Sequence, residues 1–277
     1  MKRNVMRTMS LAFAGIMAAG ALTACGGNNT AATTAAPAEQ TSAAGESAAE
    51  EATAASGEKK VLKVAMECAY APYNWTQPDD SNGAVPINDS NEYAYGYDVM
   101  MAKKICDELG YDLQIVRLDW DSLIPAVSPG QVDCVIAGQS ITTERLQAVD
   151  FTEPYYYATI VTLVKNGSKY ADAKSVADLA GATCTSQQST IWYDTCLPQI
   201  QDANILAATA SAPDMLMSLN ADKCDLVVTD QPTGKGALVA YPDFKLLEFG
   251  GGEDDFQVTD EDINIGITFS SCSTALN

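Results

Sequence analysis

Histidine does not occur anywhere in this chain of 277 residues. Its absence excludes histidine-containing catalytic triads and histidine-ligated metal sites, and with them much of the hydrolase repertoire. Basic residues are scarce as well: 16 Lys and Arg stand against 36 Asp and Glu, a formal charge of −20. That balance argues against nucleic acid as a partner and against adhesion to an anionic lipid surface by charge, and it favours a soluble monomer. The eight cysteines include no C-x-x-C pair, so neither a disulfide framework nor a zinc site follows from them. Most sit among apolar neighbours, as in Val132-Asp133-Cys134-Val135-Ile136, and read as reduced core thiols, with one pair among Cys184, Cys196 and Cys224 left open. No run is long and apolar enough to span a bilayer, which takes ~20 residues.

The N-terminus carries a clear pattern. Lys2, Arg3 and Arg7 precede an apolar stretch from Leu11 to Leu22, which closes on Leu22-Thr23-Ala24-Cys25. A basic start, a short apolar centre and small residues before a cleavage point describe an export signal. Its end resembles the bacterial lipobox, whose Cys receives a diacylglyceryl group and becomes the first residue of the mature protein. Residues 1–24 are therefore expected to be a lipoprotein signal peptide and Cys25 the lipidated residue. Two acyl chains, at ~0.8 kcal/mol per buried methylene, hold a protein on the outer face of a membrane. Loss of the leader's three basic residues takes the charge to about −23. Gly26 to Lys60 is Ala, Thr, Ser, Gly and Glu with almost no bulky apolar residue, too little to offset the entropy of ordering. Residues 25–60 read as a disordered tether with an end-to-end distance of roughly 30 to 35 Å.

From Val61 onward short apolar runs alternate with amphipathic segments, the signature of an α/β fold with parallel strands. Strands are expected at Val61 to Ala65, Leu113 to Leu118, Val132 to Ala137, Ala182 to Ser186, Asp225 to Thr229 and Phe244 to Phe249. Asp98 reads as the cap of a helix whose face is Met101, Ala102, Ile105 and Leu109 and whose stop is Gly110. Leu123 to Val127 reads as a short helix with Pro125 in its first turn, and Thr142 as the cap of a helix through Val149. Ser175 to Asp178 opens another that ends at Gly181, and Ser189 or Thr190 caps the next. An internal echo links Leu123…Asp133-Cys-Val-Ile-Ala-Gly138 to Leu216…Asp225-Leu-Val-Val-Thr-Asp230. Both units place Gly138 or Asp230 at the carboxyl end of a parallel strand, where α/β folds hold ligands.

Five blocks carry a more specific signal: Gly96-Tyr97-Asp98-Val99, Trp120-Asp121-Ser122-Leu123-Ile124-Pro125-Ala126, Val132-Asp133-Cys134-Val135-Ile136-Ala137-Gly138, Ser140-Ile141-Thr142-Thr143-Glu144-Arg145 and Val149-Asp150-Phe151-Thr152-Glu153-Pro154-Tyr155-Tyr156. In order and spacing they resemble the polar amino-acid solute-binding proteins of ABC importers, with weaker likeness from about Val61 to Phe269. The resemblance implies a two-lobed, periplasmic-binding-protein-like fold hinged by two crossing segments, with lobe one at 61–157, lobe two at 158–256 and a return to lobe one at 257–277. It implies a binding protein without cofactor, whose partners are a free amino acid, an ABC permease and its ATPase. Two other readings stand beside it: a cyclohexadienyl-dehydratase-like enzyme on the same scaffold, and a ligand-sensing lipoprotein for a signalling receptor.

The chemistry of a free amino acid suits the residues at those positions. Its carboxylate asks for a planar double donor with oriented N–H groups, which Arg145, the backbone at Ser140 and the helix start at Thr190 supply. Its ammonium asks for acceptors: Asp230 from the second lobe, the Gly138 carbonyl and the Ser140 hydroxyl from the first. By resemblance Tyr70 and Trp120 flank the ligand side chain and Glu67 meets its tip, which favours a polar or cationic ligand. A second reading makes Asp230 only the cap of a helix begun at Pro232 and Glu67 a solvated strand end, while Tyr73 and Trp75 read as packing residues. Gln187-Gln188-Ser189-Thr190 departs from the Gly-Thr usual in the family, so Ser189 is expected in a backbone geometry normally given to Gly. Gln77 to Tyr95 is longer and more polar than expected, a candidate lid or docking patch. Ile263 to Phe269 resembles the strand that returns to lobe one. Ser273 to Asn277 supply only the first turn of the helix that should follow, so a truncated lobe with exposed apolar surface is expected.

Overall fold

The computed structural model describes residues 59–271. The signal segment, Cys25, the tether up to residue 58, Cys272 and residues 273–277 lie outside the described residues.

Two five-stranded sheets organise the chain. In the first, the strands run in the order Asp112–Arg117, Val61–Met66, Cys134–Val135, Thr268–Phe269, Asp150–Phe151. In the second the order is Asn204–Ile205, Thr183–Thr185, Leu226–Asp230, Ile160–Lys165, Phe244–Leu247. Successive side chains of a strand point to opposite faces, and here both faces are buried. In the first sheet Leu62, Val64 and Ile115 pack under the helix Tyr97–Leu109, while Ala65, Val135 and Ala137 pack with Trp120, Leu123 and Val149 on the other side. In the second sheet Val164, Cys184, Leu226 and Val228 face Leu179, Trp192 and Leu197, and Leu163 and Val227 face Met215, Leu219 and Ala237.

The expected parallel pairing holds for Val61–Met66 with Asp112–Arg117 and with Cys134–Val135, and for Thr183–Thr185 with Leu226–Asp230. Each sheet also takes a strand of opposite sense, Thr268–Phe269 in the first and Ile160–Lys165 in the second. These are the strands that follow the two crossings, Asn264–Ile265 and Tyr156–Tyr157, which pair antiparallel to each other as the hinge. The crossings lie at the carboxyl ends of the parallel strands, so a chain entering a lobe from there must run the other way.

The internal echo is structural. Asp133 donates its N–H to the Lys63 carbonyl at 2.9 Å and accepts from the Lys63 N–H at 2.7 Å, and Asp225 does the same with Thr183 at 2.7 and 2.9 Å. In both lobes an Asp thus anchors the start of a strand to its parallel neighbour, and Gly138 and Asp230 follow at the far end.

Several local expectations change. Asp98 caps nothing: Gly96 is the N-cap, and Asp98 is buried, accepting from Asn74 Nδ2 at 2.7 Å and Tyr155 Oη at 2.8 Å. The buried stripe of that helix is Val99, Ala102 and Cys106, with Leu109 half exposed, because the sheet meets the helix one position round from the predicted face. Gly110 ends the helix at φ +70° as expected. The helix expected from Thr142 is a single 3-10 turn, Arg145–Gln147, because the chain re-enters the sheet at Asp150. Ser175 closes a capping box with Asp178, but over the 3-10 turn Val176–Leu179. Residues 77–95 are part of the first lobe's framework: Tyr93–Tyr95 pairs antiparallel between Asn74–Gln77 and the edge strand Val85–Pro86, and buried Ile87 bridges Ile115. An apolar groove on the first lobe is lined by Leu62, Met101, Ile105, Leu109 and Ile267. Six cysteines, including Cys184, Cys196 and Cys224, are buried free thiols. Burial pushes the Cys68, Cys134 and Cys224 thiols up to about 12 and Cys184 to about 11, which leaves them unreactive at neutral pH.

Candidate functional site

The parallel strands of both sheets end at one cleft. Glu67 follows Val61–Met66, Trp120 follows Asp112–Arg117, Gly138 follows Cys134–Val135, Gln187 follows Thr183–Thr185, and Asp230 ends its own strand. The cleft narrows to a cavity lined by Tyr70, Trp120, Gly138, Ser140 and Arg145 from one side and Gln187, Thr190 and Trp192 from the other. Only about 10 Å³ is open to the centre of a water molecule, room for about one water. Any larger ligand enters only if the two walls part.

Arg145 stands on its 3-10 turn with its N–H bonded to Thr142 Oγ1 at 3.2 Å. Its Nη1 donates to the Ser140 carbonyl and its Nη2 to the Ser189 carbonyl across the cleft, both at 2.8 Å, and its Cζ lies 5.6 Å from the Trp120 ring centre. Burial lowers the guanidinium to about 10, with Glu144 and Asp194 acting in the opposite sense, so it stays charged at neutral pH. Ser189 adopts φ +55°, the geometry expected where the family places Gly. Thr190 Oγ1 donates to the Gln187 carbonyl at 2.7 Å and accepts from Tyr193 N–H at 3.4 Å, so it caps the following π-turn, Trp192–Cys196.

Asp230, 1% exposed, is both cap and cleft residue. Its carboxylate accepts from Thr233 N–H at 3.0 Å at the start of the helix Gln231–Ala240. From the opposite lobe it accepts from the Tyr70 and Tyr73 hydroxyls, the latter at 3.2 Å. The two rings stack with centres 4.8 Å apart, and burial, then the Asp230 charge, holds both phenols protonated. Gly138, at φ +64°, admits this arrangement: a Cβ there would lie 2.9 Å from Tyr70 Cε1. Its N–H donates to Tyr155 Oη at 3.1 Å, and Tyr155 in turn donates to buried Asp98.

Glu67, 7% exposed, accepts from Gln187 Nε2 at 3.4 and 3.3 Å. Burial pushes its carboxyl up to about 7; the Gln187 hydrogen bond opposes this, and Asp119 and Asp214 add to it.

The structure brings all nine residues read from the sequence to this cleft: Glu67, Tyr70, Trp120, Gly138, Ser140, Arg145, Ser189, Thr190 and Asp230. Sequence reasoning missed Gln187 and Trp192 and read Tyr73 as packing alone. Gln187 carried a signal, since it stands just past a strand's carboxyl end as Gly138 does. Trp192, in Ile191-Trp192-Tyr193, carried none that separates it from core.

Residues 62–232, more than half of the chain, match the bacterial extracellular solute-binding proteins, family 3. The chain belongs to that family. It is a solute-binding protein by family, and the relatives it matches are named for the amino acids they bind, not as enzymes. Among its relatives is a probable histidine-binding protein of Campylobacter jejuni, 29% identical over 194 residues, which are 69% of each chain. An arginine-binding extracellular protein of Bacillus subtilis is 29% identical over 171 residues, 62% of this chain and about half, 52%, of that one. Among solved structures, an amino acid ABC transporter substrate-binding protein of Streptococcus pneumoniae bound to L-arginine superposes with a TM-score of 0.63 at 25% identity, over 77% of this chain and 82% of that one.

Proposed function

We propose that this chain is the substrate-binding component of an ABC importer, which captures a free amino acid with a cationic side chain between its lobes and delivers it to a permease and its ATPase. The observation that carries this reading is that Arg145 lines the buried cavity from one lobe while Asp230, on the other, holds the hydroxyl of Tyr70, another residue of its wall. A zwitterion is the ligand that satisfies both. Its carboxylate meets Arg145, Ser140 and the Ser189-Thr190 turn, and its ammonium meets Asp230 and the Gly138 carbonyl. Tyr70 and Trp120 flank its side chain, and Glu67 faces the tip. Hydrogen bonds to charged groups contribute roughly 1.5 to 3 kcal/mol each, so losing either end is costly. Asp119 and Asp214 add to the rise of the Glu67 carboxyl, so this end of the cleft is acidic, which favours a cationic side chain. The names of the relatives, for histidine and arginine, support the same class.

The N-terminal pattern supports tethering through Cys25 to the outer face of the cell membrane, with the lobes at 61–157 and 257–277 on one side and 158–256 on the other. Calorimetry with the twenty amino acids and ornithine tests the binding reading: one cationic amino acid should bind per chain, and binding of none overturns it. Radiolabelled palmitate tests the anchor, since Cys25→Ala should abolish the label; equal label on both proteins overturns the anchor.

A further inference from the structure

Gln187 is the side chain that reaches from the second lobe to the buried acid of the first. It is 4% exposed, and its Nε2 lies within 3.4 Å of both Glu67 oxygens. Its backbone is fixed on its own lobe: it bridges Thr209, and its carbonyl accepts from Thr190 Oγ1 at 2.7 Å. Its amide therefore meets Glu67 only where the lobes meet. The charges acting on Glu67 come from Asp119 and Asp214, both acids, and the cavity beside Gln187 has the rings of Tyr70, Trp120 and Trp192 in its walls.

We propose that Gln187 is a specificity-determining residue, forming with Glu67 a receptor divided between the lobes that prefers a planar, multi-donor cationic head, a guanidinium, over an ammonium. The proposal rests on the cationic-amino-acid reading above. A guanidinium holds five N–H donors in one plane. A carboxylate accepts two of them as a parallel pair, which an ammonium cannot supply in that geometry. The amide of Gln187, turned half a revolution about its last bond, puts Oε1 where Nε2 stood and accepts a further donor without any change of volume. The flat faces of a guanidinium stack on aromatic rings, whereas an ammonium is a compact, strongly hydrated point charge. Because the two acceptors belong to different lobes, a head group that engages both also favours closure.

Calorimetry on the full chain with L-arginine, L-lysine and L-glutamine, before and after Gln187→Met, tests this. The unaltered protein should prefer L-arginine to L-lysine. Gln187→Met should weaken L-arginine by about tenfold, the scale of one hydrogen bond to a charged group, and leave L-lysine and L-glutamine within about threefold of their starting affinities. A uniform loss for all three, or an unchanged arginine-to-lysine ratio, overturns the role of Gln187 and leaves amino-acid binding standing. Failure of the unaltered chain to bind any amino acid overturns both. Thermal melts establish that the variant folds. If Gln187→Met does not fold, the isosteric Gln187→Glu takes its place: a second carboxylate beside Glu67 should move the midpoint of the arginine pH profile up by about one unit, and an unmoved midpoint overturns the contact.

Discussion

At the scale of single residues, the charges of the site separate by substitution. Arg145→Ala should weaken binding of the cognate amino acid by ~2 to 5 kcal/mol, because it leaves a buried carboxylate unpaired. Asp230 needs two variants, since it caps a helix as well as facing the cleft. Asp230→Asn keeps an oxygen for Thr233 N–H and removes the charge, so it should match the binding loss while melting close to the parent. Asp230→Ala should lose ~1 kcal/mol of stability in addition. Calorimetry and thermal melts decide, and tight binding by both Arg145→Ala and Asp230→Asn would place the site elsewhere.

Glu67 gives a pH signature. Its folded pKa, about 7, lies above the ordinary 4.5, so the folded chain holds this proton more tightly than the unfolded one. The group's contribution to stability is full below 4.5 and declines as pH rises through about 7, by about 3 kcal/mol in all. A cationic side chain prefers the ionised carboxyl. Its affinity should therefore rise between about pH 5 and pH 8, with proton release on binding below pH 7, and Glu67→Gln should flatten the profile. Calorimetry in buffers of different ionisation enthalpy measures the released proton. A pH-independent affinity for L-arginine would remove Glu67 from the side-chain pocket.

Residue types legible in the sequence were those whose chemistry stands in a local pattern: Arg145 after Ser140-Ile141-Thr142, Asp230 at a strand's end, Ser189 where a turn needs a positive φ. Gln187 stood just past a strand's end, as Gly138 does, but nothing local showed that its partner is Glu67, 120 positions away, and Tyr73 was not legible as a cleft residue because its partner lies 157 positions away. Such contacts depend on how two lobes meet, which no local period encodes.

At the scale of elements, the strands named from the sequence fall within a residue or two, although the buried strand Ile160–Lys165 was not among them, and helices were less legible. A buried strand announces itself as an apolar run, and Leu226–Asp230 and Phe244–Leu247 fall where expected. The segments after Thr142 and Ser175 have helical starts, but the chain must return to a sheet within a few residues, and one 3-10 turn is all that fits. Gly138 is where an element's backbone governs the site. Gly138→Ala would strain a φ of +64° and drive a methyl to within 2.9 Å of the Tyr70 ring. It should destabilise the fold by roughly 1 to 3 kcal/mol and weaken ligand binding as Tyr70 is displaced from Asp230. Urea denaturation and calorimetry read the two effects, and a variant as stable and as tight as the parent would show that Tyr70 yields without cost.

At the scale of the whole molecule, the two lobes meet through groups that also form the site, so closure and recognition share one set of contacts. Tyr70 and Tyr73 reach Asp230, Gln187 reaches Glu67, and Arg145 reaches the Ser189 carbonyl. One cross-cleft bond stands apart: Gln188 Nε2 donates to Asp121 Oδ2 at the exposed rim, outside the cavity's lining. The hinge carrying these movements is narrow, a pair of two-residue strands, Tyr156–Tyr157 and Asn264–Ile265. A ligand held between Arg145 and Asp230 favours the closed arrangement, because the open one satisfies only part of its charge. Small-angle scattering should accordingly give a smaller radius of gyration at saturating ligand than without it. The rim bond biases the same equilibrium without touching the ligand. Asp121→Ala should therefore weaken every amino acid by the same factor, about fivefold for one hydrogen bond of ~1 kcal/mol, leave their ranking unchanged, and enlarge the unliganded molecule. A change of ranking would mean that Asp121 faces the ligand, and scattering curves that superimpose with and without ligand, from folded protein, would reject a hinged clamp for this chain.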